Sequence, residues 1–538
     1  MEKETSKDKS VFVRTASGLV RDYGVFDTFL IGTFVTWGLL WAVIQFPWFY
    51  GFFPGANMAL ALLLVAPPFI LYGIVYWILG VSMPRAGADY MWVSRTVGPT
   101  LGFAWSMMWF VAYFYNAFII PVLAFEALVA TSLAVPGMIY NLDWLAGLAN
   151  VLLTPVGTFT FAVLLVIVFS ILTIAGGRVI KKLFYAAWIT EIIGIALMWG
   201  LLATTNPNSF AHSWDATALG KIMPYASVIP AAANQGFKSV VDNSWEMTIA
   251  SLPLVSLFYF GYYYQTIVAG EIKEIRKSIP LSIFGVFAAT YVWWAVSSIL
   301  NLQAVGPQWF YALSRLWELA PAAYPLPTPT INLMLSVIAY PNIPLTALIA
   351  ITFIVTSIPM CFVQFFLSTR YFFAWGFDRI IPTRFAEVNR KFRTPVNATI
   401  ALAIIAIVQL LLYVFTTFST VFTMSVFMMI VTFMGPSIAA IVFPYVRKSL
   451  FESLPPIAKA RIAGVPMISI VGVLCTISFA YLSYLYYVTP QISSPGVLGT
   501  GLMIGTFVLG IAIYLGSRTY WRRKGIAIDM AFKELPPD

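Results

Sequence analysis

Twelve apolar runs, each about 20 residues long, occupy most of the sequence. A single α-helix of that length crosses the hydrocarbon core of a bilayer. The run ALALLLVAPPFILYGIVYWIL lacks the alternation of polar and apolar residues that is typical of membrane-barrel strands. We therefore predict an all-α polytopic membrane protein with about 12 transmembrane helices. The predicted spans are 26–46, 57–80, 101–131, 158–175, 183–203, 248–269, 281–303, 344–374, 395–417, 421–445, 465–488 and 496–516.

The overall composition agrees with this fold class. Charged residues make up 10% of the chain, whereas soluble domains carry about 25%. Hydrophobic residues make up 60%, which is more apolar surface than a water-soluble core can bury. The polar N-terminus, MEKETSKDKS, has no pattern of a cleavable signal peptide. The bilayer is therefore the expected solvent for most of the chain.

The distribution of positive charge predicts the orientation of the spans. If the N-terminus is cytoplasmic and the spans alternate, 28 of the 31 Lys and Arg residues lie on the cytoplasmic side. Only Lys221, Lys238 and Arg315 lie on the other side. The positive-inside rule favours this arrangement, with both termini cytoplasmic and the basic loops near anionic lipid headgroups of the cell membrane. The net charge of +10 is therefore no indication of a nucleic-acid partner.

Few residues in the chain are suited to metal binding or catalysis. Cys361 and Cys475 both lie inside apolar runs, which predicts neither a disulfide framework nor a metal site. His212, the only histidine, lies in a polar loop. No Walker A pattern is present, which argues against an ATP-driven pump. We expect no metal, no cofactor and no enzymatic activity, because the scattered acids and one histidine do not form a catalytic constellation.

Tryptophan residues cluster near the ends of the predicted spans. Trp105 and Trp109 form one such pair, and Trp293 and Trp294 form another. Tryptophan is enriched at membrane–water interfaces. We interpret these residues as an interfacial belt rather than as an aromatic substrate cage.

Several long segments resemble the amino acid–polyamine–organocation (APC) transporter superfamily, and prokaryotic amino acid permeases in particular. The segment VSMPRAGADYMWVSRTVGPTLGF at 81–103 is similar to the family segment between the second and third spans. AGEIKEIRKSIP at 269–280 resembles the end of the sixth span, and STRYFFAWGFDRIIPTRFAEVNRKFRTPV at 368–396 resembles the exit of the eighth. The tail RRKGIAIDMAFKELPPD is also similar to members of the family.

The resemblance implies a LeuT-like fold with a 5+5 inverted repeat, followed by two peripheral helices. The implied divisions are a cytoplasmic N-terminal segment 1–25, a transport core 26–445 with repeats 26–203 and 248–445, a loop 446–464, peripheral helices 465–516 and a cytoplasmic tail 517–538. Ser94-Arg95 and Ser314-Arg315 follow the second and seventh spans at matching positions, as such a repeat expects.

In this family spans one and six are broken near mid-depth and hold the substrate. The resemblance places the first break at Gly38, with Thr33 and Thr36 close by, and the second at Phe260, Gly261 and Tyr262. The family's serine-containing motifs are lost at both breaks, and one glycine remains in each. Helix breaks free N–H groups for a carboxylate and carbonyl groups for an ammonium group or cation. These six residues are the predicted substrate site.

Glu191 lies in the middle of span five, within YAAWITEIIGIALMW. Acidic residues at bilayer depth usually face the bundle interior and mark ion or proton paths. We predict either a coupling residue or a neutral buried acid that bonds a neighbouring helix. Glu126 is interpreted as reaching the outer interface, and Asp27 as a charge that stabilises the first turn of a helix.

A set of charged residues is predicted at the cytoplasmic ends of the spans. Glu271 and Lys273 end span six, and Arg85, Arg370 and Asp378 lie in the other family-like segments. We predict that they form a cytoplasmic gate or anchor loops through ion pairs. The sequence leaves open which pairs form.

The leading functional hypothesis is a secondary transporter for amino acids, amines or related metabolites. Such a protein works by alternating access, coupled to a proton or Na⁺ or as an exchanger. A nutrient sensor with a transporter fold is an alternative, since the span-one motif is degraded. A channel is a second alternative, although no polar filter is evident.

Overall fold

The computed structural model describes residues 19, 21–36, 39–326, 336–389, 391–416, 421–489 and 496–535. The α-helices are α1 (Val25–Thr36), α2 (Leu39–Phe52), α3 (Met58–Ser82), α4 (Ala88–Thr96), α5 (Pro99–Val129), α6 (Val135–Ile139), α7 (Asp143–Leu152), α8 (Pro155–Ala175), α9 (Gly177–Ala203), α10 (Pro207–Ala216), α11 (Ala218–Ile222), α12 (Val228–Asn234), α13 (Trp245–Ala250), α14 (Leu252–Ser256), α15 (Ile275–Val305), α16 (Pro307–Leu319), α17 (Ile343–Phe377), α18 (Val396–Phe415), α19 (Val421–Thr432), α20 (Met434–Val446), α21 (Lys448–Glu452), α22 (Met467–Val488) and α23 (Gly496–Arg523). Strands β1 (Arg461–Ile462) and β2 (Val465–Pro466) pair antiparallel. A π-helical turn lies at Ala130–Ala134, and 3₁₀ turns lie at Tyr225–Ser227, Leu257–Tyr259, Tyr264–Glu271, Pro321–Ala323, Thr383–Ala386 and Ile528–Phe532.

Nine helices within the described residues are long and apolar enough to cross a membrane. They match nine of the predicted spans. The three remaining predictions fall on α1 with α2, on α5, and on the segmented region from α13 to Glu271. The prediction of an all-α polytopic membrane protein is confirmed.

Local sequence explains where several of these helices begin. The side chain of Thr154 accepts a hydrogen bond from the backbone N–H of Gly157 at 3.2 Å, and Asn342 accepts one from Leu345 at 3.2 Å. Such N-caps satisfy N–H groups that have no partner within the helix. Asp27 accepts a hydrogen bond from the N–H of Gly24 at 2.7 Å, so it stabilises the start of α1 as the sequence predicts.

Helix α17 lies at the centre of the bundle and α23 at its edge. In the most apolar window of each helix, 61% of the residues of α17 are buried, against 17% for α23. Helix α17 packs against α9, α5 and α1, while α23 packs mainly along α5. The central position of α17 brings its C-terminal half to the candidate site.

Two short helices each pack against one of the interrupted spans. Helix α4 packs against α5, α20 and the Tyr264–Glu271 turn, and α16 packs closely along α2. The side of the bundle formed by α4, the 378–395 loop and the Ile528–Phe532 turn is called the basic face below. Arg447 ties this face together by donating hydrogen bonds to the backbone carbonyls of Arg95 and Phe532.

The prediction of an interfacial tryptophan belt is wrong for three of its residues. Trp293 and Trp294 have no exposed surface, and Trp109 is 2% exposed. Trp109 stacks on Tyr113 and Tyr371 with ring centroids 4.4 and 4.7 Å apart. Tertiary packing therefore places these rings inside the bundle, because their flanking helices converge there.

Candidate functional site

The first predicted span is described as two helices. Helix α1 ends at Thr36 and α2 begins at Leu39, and Gly38 lies outside the described residues. The indole N–H of Trp41 donates to the carbonyl of Val35 at 3.1 Å. This hydrogen bond joins the described parts of the first predicted span on either side of residues 37 and 38.

The sixth predicted span leaves α-helical geometry over a longer stretch. Helix α14 passes into a 3₁₀ turn, Phe260 is extended with φ −63° and ψ 133°, and Gly261 has a φ of +99°. The chain then continues as the 3₁₀ segment Tyr264–Glu271 rather than as an α-helix. Glycine is required at position 261 because other L-residues rarely adopt this left-handed conformation. The departure from helical geometry expected at Gly261 is present.

The described end of α1 and the interrupted sixth span touch at Gly261. A Cβ atom at this position would lie 2.3 Å from Val35 Cγ1 and 3.4 Å from Thr36 Cγ2. Such a short distance is impossible for a side chain, so the absence of a Cβ atom permits the contact. The end of α1 and the turn after α14 are thereby brought together.

The side chains of the predicted substrate-site residues are directed to different sides of this contact. Thr33 and Thr36 donate their hydroxyl groups to carbonyls of their own helix, those of Leu30 and Gly32, both at 2.9 Å. Tyr262 donates to the carbonyl of Phe69 on α3. The hydroxyl of Tyr262 is therefore directed towards α3 and away from α1.

Phe260 belongs to an aromatic wall rather than to a polar pocket. Its ring lies 4.7 Å from that of Phe433 and 6.4 Å from that of Phe69, centroid to centroid. The structure thus places Thr36 and Gly261 in contact and turns Phe260 and Tyr262 towards α3 and α20.

Four buried polar side chains near the second break were not assigned to the substrate site from the sequence. Gln265 Oε1, Trp109 Nε1, Tyr113 Oη and Tyr263 Oη have no hydrogen-bond partner among the described residues. Gln265 Nε2 donates to the carbonyl of Tyr262 at 2.9 Å, and its Oε1 faces Gly32 on α1. Buried polar atoms without partners are costly, which makes this region suited to a polar ligand. The tyrosine-rich run YFGYYYQ was the sequence feature that could have indicated this polar region.

Glu191 lies on the buried face of α9 and is 1% exposed. Its Oε2 atom has no hydrogen-bond partner within the described part of the chain. One turn further along, the Cβ position of Gly194 is 2.7 Å from Thr352 Oγ1 and 3.4 Å from Leu39 Cδ1. Glu191 therefore lies about one helical turn from a contact of α9 with Leu39 of α2 and Thr352 of α17.

Glu271 and Arg370 form a two-pronged ion pair at the basic face. Arg370 donates from Nε to Glu271 Oε1 at 2.9 Å and from Nη2 to Oε2 at 3.0 Å. The two side chains are 9% and 2% exposed. This bidentate geometry is the strongest form of the arginine–carboxylate interaction. The pair joins the end of the interrupted sixth span to α17.

The segment before α1 covers this ion pair. The carbonyl of Glu271 accepts hydrogen bonds from the N–H groups of Asp22 and Tyr23 at 2.8 and 3.0 Å, and Lys273 N–H donates to the carbonyl of Tyr23. Asp22 lies 3.0 Å from Lys181 and 3.5 Å from Lys273. Burial raises the pKa of Asp22, but hydrogen bonding and the charges of these lysines outweigh it and hold the pKa below its usual value. Lys273 is thus bonded to Asp22 rather than to Glu271.

Asp378 pairs with an arginine that the sequence reasoning did not select. Arg95 on α4 lies 2.6 Å from Asp378 Oδ2, and Tyr90 donates to the same oxygen at 2.6 Å. Arg85 donates to the carbonyl of Pro84 at 3.0 Å. Of the predicted gate residues, the structure brings Glu271 together with Arg370 and places Lys273 beside them, while Asp378 holds α4.

A cavity of about 400 Å³ opens on the basic face and reaches the ion pair. Its lining includes Asp22, Arg178, Glu271, Arg370 and Lys391. Tyr23 and the Glu271–Arg370 pair form part of the wall of this cavity.

The family model described as amino acid permease matches residues 29–512. The chain belongs to the amino acid permease family. The resemblance to the APC superfamily is thereby confirmed. Membership makes the chain a multi-pass membrane protein that transports amino acids or related compounds, a role distinct from that of an enzyme. Among the curated proteins, none matches this chain.

Proposed function

We propose that the chain is a secondary active transporter that moves amino acids or related amines across the cell membrane by alternating access. The observation that carries the proposal is the contact of Gly261 with Val35 and Thr36, at an interruption of the sixth span whose other end is joined to α17 by the Glu271–Arg370 ion pair. A site between two interrupted helices can be reached from one side at a time when each half-helix moves separately.

The proposed substrate site comprises the two breaks and the groups around them. Gly261, and Gly38 in the undescribed part of the first span, are the proposed sources of backbone groups for the carboxylate and ammonium of an amino acid, and Thr33 and Thr36 line the end of α1. Phe260 and Tyr262 form the apolar wall on the other side. The partnerless atoms of Trp109, Tyr113 and Gln265 add polar groups that a ligand or water molecules satisfy.

The proposed gate is the group of charged residues at the basic face. Glu271 and Arg370 close the path, Lys273 holds the segment before α1, and Asp378 anchors α4. Arg85 is assigned to the loop that meets the end of the sixth span, because Gly270 lies against its backbone. Opening this side requires the bonds between Arg370 and Glu271 to break.

The proposed orientation places the basic face and both termini in the cytoplasm, as the positive-inside rule favours. The proposed inverted repeats, 26–203 and 248–445, gain support from the matching positions of α4 and α16. Each short helix packs against one half of an interrupted span.

Glu191 is the proposed coupling residue. A buried carboxyl with an oxygen that lacks a partner is far less costly as the neutral acid than as the anion. One charge that moves through 100 mV supplies about 2.3 kcal/mol, enough for roughly 40-fold accumulation. One proton per substrate therefore suffices for uptake, and a Na⁺ gradient or exchange is the alternative driving force.

Purified protein in proteoliposomes tests the proposal with radiolabelled amino acids and amines, offered one at a time. Accumulation driven by an imposed pH or Na⁺ gradient, or counterflow without a gradient, is expected for at least one compound. Binding without flux would identify a sensor instead. Single-channel conductance in planar bilayers would identify a channel.

A further inference from the structure

A second buried carboxyl group lies on the gate side of the molecule. Asp89 is in the first turn of α4, and its side chain is 2% exposed. Tyr371, on α17, donates its hydroxyl to Asp89 Oδ1. Arg95, which follows Asp89 on α4, is bonded to Asp378, and Arg370, which precedes Tyr371, is bonded to Glu271. Each of these guanidinium groups therefore already has another carboxylate as its partner.

The groups that face Asp89 are almost all tyrosines. Tyr72 and Tyr76 of α3, Tyr263 and Tyr264 of the interrupted sixth span, and Tyr371 of α17 all lie within electrostatic reach of its carboxylate. Helices α5 and α20 also pack against α4. Their described buried faces contribute Tyr113, which touches Tyr264, from α5 and Ser437 from α20.

Tyrosines within electrostatic reach of Asp89 contact one another as far as Tyr263, beside the break at Gly261. The ring of Tyr76 lies 4.3 Å from that of Tyr263, which follows Gly261 by two positions, and Tyr72 donates its hydroxyl to Tyr76 at 3.3 Å. The hydroxyl of Tyr263 has no partner among the described residues. Tyr263 also contacts Tyr264, at 5.0 Å between ring centroids, so the described cluster surrounding Asp89 is polar but carries no opposing positive charge of its own.

Asp89 is also connected to the gate. The N–H of Gly87, just before α4, donates to the carbonyl of Ile267 in the sixth span at 3.1 Å. Tyr371 follows Arg370 directly, so the residue that holds Asp89 and the residue that closes the gate pair are consecutive on α17. The hydration of a buried carboxyl decides the cost of its charge.

We propose that Asp89 is a proton-binding site that takes up a proton while the basic face is closed and releases it to water when that face opens. The proton adds to the carboxylate to give the neutral acid, and the same proton leaves to a water molecule on opening, so no other reactant is needed. The proposal rests on the transport function proposed above, and adds to Glu191 a second titrating group on the gate side.

The electrostatic surroundings place this equilibrium in the physiological range. Burial raises the pKa of Asp89 to about 7, although the hydrogen bond from Tyr371 and the backbone N–H groups at the start of α4 lower it. At neutral pH, small changes in hydration therefore change the protonation state. Opening, which restores water, lowers the pKa again and favours release.

Infrared difference spectroscopy of the purified full chain in phosphatidylcholine liposomes tests the proposal without a substrate. A carboxylic-acid carbonyl band that titrates near pH 7 is expected in the native chain and in Glu191→Gln, and should be lost in the double variant Asp89→Asn/Glu191→Gln, which also lacks the carboxyl of Glu191. Persistence of the band in this folded double variant would overturn the assignment. Absence of the band from the native chain would also overturn the assignment.

Tyr371→Phe provides a second test if the double variant does not fold. It removes a hydrogen bond that stabilises the charged carboxylate, so the midpoint should move up by about one pH unit. Tyr76→Phe is the matched control, since it removes a hydroxyl from the same cluster without removing the donor to Asp89, and its shift should be smaller. Equal midpoints in the native chain and Tyr371→Phe would contradict the proposal.

The infrared titration also distinguishes a failure of the Asp89 proposal from a failure of the proposed transport function. If proteoliposomes accumulate none of the radiolabelled amino acids or amines, the proposed transport function fails, while the infrared titration still decides whether Asp89 binds a proton. If transport is present, the double variant keeps the titrating band and Asp89→Asn keeps the native pH dependence of uptake, only the role of Asp89 is rejected.

Discussion

Arg370 and Glu271 meet through two parallel hydrogen bonds of 2.9 and 3.0 Å, although 99 residues separate them in the chain. The pair joins the central helix to the end of the interrupted sixth span, where the backbone of the segment before α1 is also bonded. One contact thus holds three parts of the proposed gate. Because both charges are nearly buried, removing one partner leaves the other uncompensated.

Glu271→Gln should therefore favour the state in which the basic face is open. Loss of one partner of a buried ion pair costs about 3–5 kcal/mol in the state that buries it. A cysteine at Thr266, which is fully buried behind the pair, should then react faster with a thiol reagent. The native cysteines, Cys361 and Cys475, are buried and give a low background.

Glu274→Gln is the matched control for the gate prediction. It makes the same chemical change three residues away, at an exposed position. The labelling rate at Thr266→Cys should stay at the native value in this variant. Equal rates in Glu271→Gln and Glu274→Gln would show that the ion pair does not hold the gate closed.

Glu191→Gln should abolish accumulation driven by a pH gradient and leave substrate counterflow largely intact. Glutamine keeps the shape of the protonated acid but cannot release a proton. Uptake and counterflow are measured in the same proteoliposomes at matched protein content. Glu126→Gln, on α5, should accumulate substrate normally, and native accumulation by Glu191→Gln would reject the coupling role.

Gly261→Ala should destabilise the protein by about 1–3 kcal/mol, because a non-glycine residue is strained at this φ. The added Cβ atom would also lie 2.3 Å from Val35 Cγ1, so the two breaks must move apart and transport should fall sharply. Thermal unfolding in detergent and uptake measure the two effects. Val35→Ala in the same chain should restore part of the stability by removing the clash.

Gly200→Ala is the control for that substitution. Nothing lies within 4 Å of the Cβ position of Gly200, and this glycine is in the regular helix α9. Its unfolding temperature should not fall. A fall in Gly200→Ala as large as that in Gly261→Ala would mean that the contact with α1 is not the cause.

Cysteines introduced at His212 and Ser449 test the orientation. Both positions are exposed and lie on short helices, α10 and α21, in segments that the charge distribution assigns to opposite sides. His212→Cys should react with an impermeant thiol reagent added outside intact cells, and Ser449→Cys only after the membrane is opened. The reverse pattern would invert the proposed topology and the gate assignment with it.

The sequence by itself determined the spans and the family. Hydropathy is a local property, since any helix in lipid must be apolar over about 20 residues, so nine helices of the structure coincide with predicted spans. The special backbone at Gly261 could also be predicted from the sequence, because a left-handed conformation restricts the residue type wherever it occurs.

Only the tertiary structure decided which side chains meet. Asp378 bonds Arg95, 283 residues away, Arg370 bonds Glu271, and Tyr262 bonds α3 rather than the facing end of α1. Trp109 was expected at the interface and is buried against Tyr371. Asp89 was not identified from the sequence, because a polar loop and a segment that lines a buried pocket have the same local composition. Partner choice depends on how far apart the helices pack and where they cross, and those distances are set by contacts between residues remote in sequence.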